Sequence, residues 1–164
     1  MVHVEIVNAA DNELYLRDKY YTPFLDLAIV YYRSIDGVRK YFVTHQEDIP
    51  YTFKQILDNI VSKSEFCLKQ EEDLILFDKK QQNKSIVAIL DNQLLNSIQS
   101  QLGPFFILPQ STYELRIMPQ NKIIQQEELE NLKKKLTASN DNLPAEYIVS
   151  NHIYYYNRVL TVAV

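Results

Sequence analysis

The sequence predicts an α+β fold: a mostly antiparallel sheet with about three helices packed on it. Extended runs come in pairs between helical windows rather than alternating one for one with them. An Asp-Gly pair separates two of these runs, and apolar residues recur at helical spacing in three separate windows. At 164 residues the chain can bury a core without a metal or disulfide staple. No repeat or long linker divides it, so a single domain over 1–164 is expected.

Residues 2–7 read as a strand, with Val2, Val4 and Ile6 on one face and His3, Glu5 and Val7 on the other. Asn8 to Asp18 opens with polar residues and suits a short helix turn anchored by Leu14 and Tyr15. The strongest hairpin signal covers 24–44: FLDLAIVYYRSI, then Asp36-Gly37, then VRKYFVT. Both turn residues tolerate positive φ. The first run is apolar on both faces, as a central strand is, and Asp26 interrupts it. A buried carboxylate there must be paired or hydrogen-bonded. Structural capping is favoured for Asp26 over a functional role or exposure at a strand end.

Phe53, Ile56, Leu57, Ile60 and Val61 mark a helix over 52–63, with Thr52 as N-cap. His45, Glu47 and Asp48 precede it without the spaced partner that a metal set requires, so a solvated loop is expected there. Residues 65–78 hold two apolar runs around KQEED, a hairpin-like or bent extended segment. Cys67, between Phe66 and Leu68, suits a small core position; no local base would activate it. Residues 79–84 form a surface loop. SIVAIL, 85–90, is a covered strand or the start of a helix. Asp91 or Asn92 then caps a helix carrying Leu94, Leu95, Ile98 and Leu102, stopped by Gly103-Pro104.

The chain is organised around residues 104–119, PFFILPQSTYELRIMP. Phe105 to Leu108 read as a covered strand. Tyr113 to Met118 alternate, Tyr113, Leu115 and Ile117 against Glu114, Arg116 and Met118. A structural turn or sharp bend joining two core strands is favoured between them, and a loop offering Gln110, Ser111 and Thr112 to a protein partner is the alternative. Leu129, Leu132 and Leu136 mark the next helix, with glutamates in its first turns and Lys133 to Lys135 near its end, matching the helix dipole. Its lysines read as a solvated face rather than a nucleic-acid patch. A last hairpin turns at Asn157-Arg158. His152, Tyr154 and Tyr156 share a face of its first strand. A sheet face under a helix is favoured there, and an interaction surface through Tyr154 and Tyr156 is the alternative.

Lys plus Arg number 17 against 21 acidic residues, a net charge of −4, which argues against a nucleic-acid partner. Two glycines leave no glycine-lined phosphate cradle. One cysteine allows no internal disulfide and agrees with a reducing compartment. No secretory leader and no apolar run of spanning length are present, so a soluble cytoplasmic protein with no membrane partner is expected. Twelve tyrosines, seven phenylalanines and no tryptophan suit sheet faces and interfaces. No cofactor, metal or catalytic residue is assigned.

Three stretches carry a resemblance to a known family: VEIVNAADNELYL followed by FLDLAIVYYR, then FFILPQSTYELRIMP, then LPAEYIVSNHIYYYNRVL. Together they resemble an uncharacterised domain-of-unknown-function family common in gut Firmicutes, of which this chain would be a shortened and divergent member. Where that family carries a serine pair and a histidine before a glutamate, this chain has Gln110-Ser111, Thr112 and Tyr113-Glu114. Tyr113 in place of the histidine weakens a catalytic role for the turn. The resemblance implies no activity.

The expected function is a non-enzymatic protein-interaction module, an accessory or anti-defence protein of a phage or mobile element, with a homodimer through an uncovered strand edge as one arrangement. The alternatives are a small hydrolase-like enzyme in which Asp26, Glu114 and His152 converge, and a nucleic-acid-binding or nucleic-acid-mimic protein.

Overall fold

The computed structural model describes residues 1–43, 49, 51–80, 84–122, 125–144 and 148–164; His45, Glu47 and Asp48 lie outside them. The fold is α+β with antiparallel sheets. Cα packing groups the chain into two compact units, Met1–Ser62 and Lys63–Val164. Among the described residues no helix is long and apolar enough to cross a membrane.

The first unit comprises β1 (Val2–Asn8), α1 (Glu13–Leu16), β2 (Tyr21–Phe24), β3 (Leu27–Ile35), β4 (Val38–Tyr41) and α2 (Phe53–Lys63), whose last residue crosses the boundary. Strand β3 is the centre. It pairs with β1 from Leu27↔Asn8 to Arg33↔Val2, with β2 along its first half and with β4 along its second. Its residues Leu27 to Tyr31 are all buried, as an apolar run covered on both faces requires. The Asp36-Gly37 turn forms as expected, with φ of 52° and 78°.

A second hairpin escaped the sequence reading. The run 24–35 is not one strand, because Leu25 (φ 55°) and Asp26 turn the chain between β2 and β3. Leucine rarely takes positive φ, so no turn signature announces this bend. It is held from outside: the Ala9 amide donates to the Asp26 carbonyl at 3.0 Å and Asn8 Nδ2 donates to Asp26 Oδ2 at 3.3 Å. These two bonds, one to the Asp26 backbone and one to its side chain, hold the β2–β3 turn. In α1 the anchor is Leu16, with Tyr15 packed beside it, whereas Leu14 is 78% exposed.

The second unit comprises β5 (Phe66–Gln70), β6 (Leu74–Asp78), a 3₁₀ segment (Ser85–Leu90), α3 (Asn92–Leu102), β7 (Phe105–Pro109), β8 (Leu115–Pro119), a 3₁₀ turn (Gln120–Lys122), α4 (Gln126–Asn140), β9 (Tyr154–Asn157) and β10 (Val159–Val162). Its strands form one sheet in the order β10-β9-β7-β8-β6-β5, every pair antiparallel. Strand alternation gives that sheet two covered faces. Phe105, Ile107, Leu115, Ile117, Tyr154 and Tyr156 share one. There the Tyr156 hydroxyl donates to Asn96 Oδ1 of α3 at 2.9 Å. Phe106, Leu108, Met118 and Ile153 share the other and pack on Leu129 and Leu136 of α4. The sheet thus lies between α3 and α4.

Helix α3 starts and stops where expected. Asp91 Oδ1 accepts from the Gln93 and Leu94 amides, each at 3.1 Å, and Gly103 leaves the helix at φ 74°. SIVAIL is apolar on every side, which suits either candidate element; it folds as a fully buried 3₁₀ segment. The Ile86 amide donates to the Thr112 carbonyl at 3.2 Å, and Ser85 Oγ accepts from the Asp78 amide at 3.1 Å. Strand β8 begins at Leu115, not Tyr113. Tyr113 is 47% exposed and sits with Glu114 in the turn.

Candidate functional site

One face of the first sheet carries Val2, Ile6, Ile29 and Tyr31, all buried. Beside it, α2 opens with a reciprocal cap: the Thr52 amide donates to Gln55 Oε1 at 2.9 Å and the Gln55 amide to Thr52 Oγ1 at 3.3 Å. The cap fixes the helix start, and 3.6-residue periodicity aligns Phe53, Ile56 and Ile60. Ile56 and Ile60 are buried, but Phe53, expected inside, is 41% exposed. It stands at the rim of a hollow of about 370 Å³ with Tyr20, Tyr31, Tyr51 and Ile56.

Tyr20 and Tyr51 are also half open, at 42% and 48%. A second hollow of about 460 Å³ adjoins the first through Tyr51 and Ile56 and runs to Met1 and Val2. The floor is fixed: Tyr31 Oη and Thr22 Oγ1 lie 2.8 Å apart in a hydrogen bond, and burial raises the Tyr31 pKa. The result is a groove floored by this tyrosine–threonine pair and rimmed by three aromatic side chains, residues favoured where proteins dock.

The opposite face of this sheet holds a polar hub. Glu5 Oε2 accepts from the Tyr15 hydroxyl at 2.9 Å and the Tyr41 hydroxyl at 3.0 Å, and Arg39 lies 3.6 Å from Glu5 Oε1. Lys19 Nζ sits 3.9 Å from the Tyr15 ring centroid. The Tyr15 pKa is raised strongly, first by burial and then by its Tyr41 and Glu5 neighbours. The folded chain keeps this proton above pH 10, where an unfolded tyrosine releases it. Stability is therefore full below pH 10 and falls above it, by about 1.4 kcal/mol per pH unit for one retained proton. Tyr15→Phe is expected to flatten this alkaline decline, measured as urea midpoints between pH 9 and 11; an unchanged slope refutes it.

The residues singled out in the sequence fall in both units. Asp26 belongs to the first unit and holds the β2–β3 turn. Glu114 and His152 lead into β8 and β9, which flank β7 on opposite sides. The Glu114 charge acts on Lys69, whose pKa is raised first by its hydrogen bond to Glu71 and further by Glu114. His152 is held by Ser150, whose Oγ accepts its amide at 2.9 Å.

The expected partner-facing turn is half closed. Ser111 Oγ accepts from the Tyr113 and Glu114 amides, each at 3.2 Å, which folds the turn inward. Thr112 is 2% exposed and cannot meet a partner; Gln110 is exposed. Tyr154 and Tyr156 are fully buried, so they form the sheet face under a helix rather than a contact surface. Cys67 is half-buried and its thiol donates to the Glu65 carbonyl at 3.6 Å. Among the described residues no three His, Cys, Asp or Glu side chains are grouped to hold a metal.

The groove itself was missed. Tyr20 and Tyr51 fall in loops without periodicity, and Phe53 shares the spacing of its buried neighbours. The surplus of tyrosine was the only signal pointing to such a surface. The fold and the groove define an α+β protein with two antiparallel sheets. No protein-family model, curated protein or solved structure matches the chain.

Proposed function

We propose that this chain is a non-enzymatic protein-interaction module that docks a partner in the groove rimmed by Tyr20, Tyr51 and Phe53. The observation that supports this reading is three half-exposed aromatic side chains around one buried floor. Aromatic anchors at the centre of an interface carry most of its binding energy. Asp26 is engaged in its turn by Asn8 and the His152 amide by Ser150, which supports it over the hydrolase-like alternative.

A photoreactive phenylalanine analogue at Phe53 or Tyr51 is expected to give a discrete protein adduct in cells. The same analogue at Lys54, 83% exposed on α2, is expected to give little. Tyr20→Ala should lower the Phe53 adduct at least fivefold, since loss of a hot-spot aromatic costs about 1–2 kcal/mol or more. An adduct of twice the chain mass identifies a second copy as the partner. Equal yields at Phe53 and Lys54 refute the docking surface.

A further inference from the structure

The second unit has a cleft of about 270 Å³ between α4 and the sheet. Its apolar side is Leu108 from β7 with Leu132 and Leu136 from α4; its polar side is Gln110, Arg116, Lys135 and Ser139. Every one of those four polar side chains carries a hydrogen-bond donor. Arg116 is set in the cleft by strand register, since it pairs with Leu108 on β7 and Ile75 on β6 and so shares their face. Its guanidinium is partly engaged, Nη2 lying 2.6 Å from Asp73 Oδ2, and the buried Nε on the same edge has no hydrogen-bond partner. Asp73 balances the Arg116 charge. Among the described residues no acidic group lies within salt-bridge distance of Lys135, and its ammonium stands at the cleft beside the leucine wall.

We propose that this cleft binds a small amphiphilic acid, with its carboxylate against Lys135 and the remaining guanidinium donors of Arg116 and its short hydrocarbon chain on the leucines. The volume lies below the roughly 300–1,000 Å³ of pockets for drug-sized ligands, so the ligand is small. A carboxylate supplies acceptors for these donors, and charge-assisted hydrogen bonds are the stronger kind. The tail is required as well, because half of the lining is aliphatic. This site is independent of the aromatic groove, and neither test bears on the other.

Octanoate, octanol, octylamine and inorganic phosphate are the probes, titrated into the full chain and followed by amide shifts at Gln110, Arg116 and Ser139. Octanoate is expected to saturate below about 1 mM, with the other three at least about tenfold weaker. Lys135 is exposed, so Lys135→Met leaves the fold intact. It should weaken octanoate at least about fivefold while leaving octanol unchanged, and Lys134→Met should change neither. The proposal is overturned if octanol or phosphate matches octanoate. Equal effects of the two lysine variants, shifts centred elsewhere, or no saturation by about 10 mM also overturn it.

Discussion

Ile107→Ala is expected to lower the stability of the second unit by about 2–5 kcal/mol. Ile107 is fully buried in β7 and pairs with Ile117 of β8 on one side and Tyr154 of β9 on the other. Its side chain therefore packs in the row of residues that joins three strands on one face. Truncation removes apolar area from water and leaves a cavity whose walls are held by two ladders, so they cannot collapse onto it. Ile107→Val removes a single methylene and should cost about 0.5–1.5 kcal/mol. Urea denaturation measures both, with the midpoint falling and the slope unchanged. An Ile107→Ala midpoint within error of the parent would show that the sheet is not centred on β7.

That centrality was legible in the sequence because several local signals agree around it. Pro104 and Gly103 stop a helix, Phe105 to Leu108 are apolar on both faces, and alternation resumes after the turn. The strongest elements, α2, α3, α4 and the Asp36-Gly37 hairpin, rest on periodicity, caps and positive φ, which are properties of neighbouring residues. What escaped depends on residues far apart in the chain. Leu25 takes positive φ because Asn8 and Ala9 hold the turn that follows it. Thr112 is buried because Ile86 reaches its carbonyl. Tyr113 leaves the strand because Ser111 caps the turn, although its alternation with Leu115 fits a strand. The candidate groove is harder still to read, since an aromatic at a rim and an aromatic in a core share one sequence pattern.

Asp78→Ala is expected to cost the second unit about 2–4 kcal/mol, although the sequence shows only an aspartate ending the apolar run LILFD. Asp78 is 3% exposed. Its Oδ1 accepts from the Glu65 amide at 2.8 Å and the Lys80 amide at 3.1 Å, while its own amide donates to Ser85 Oγ at 3.1 Å. One residue thus ties the start of β5, the chain leaving β6 and the buried 3₁₀ segment together. Alanine keeps the backbone bond to Ser85 but leaves two amide donors without acceptors, at about 1–3 kcal/mol for each that stays buried. Asp78→Asn keeps a carbonyl oxygen at the same position and should recover about half of the loss or more, because the acceptor rather than the charge makes both bonds. Urea midpoints of the two variants separate the roles. If Asn is as destabilising as Ala, the carboxylate charge holds this junction; if neither moves the midpoint, water replaces both bonds and Asp78 is not structural.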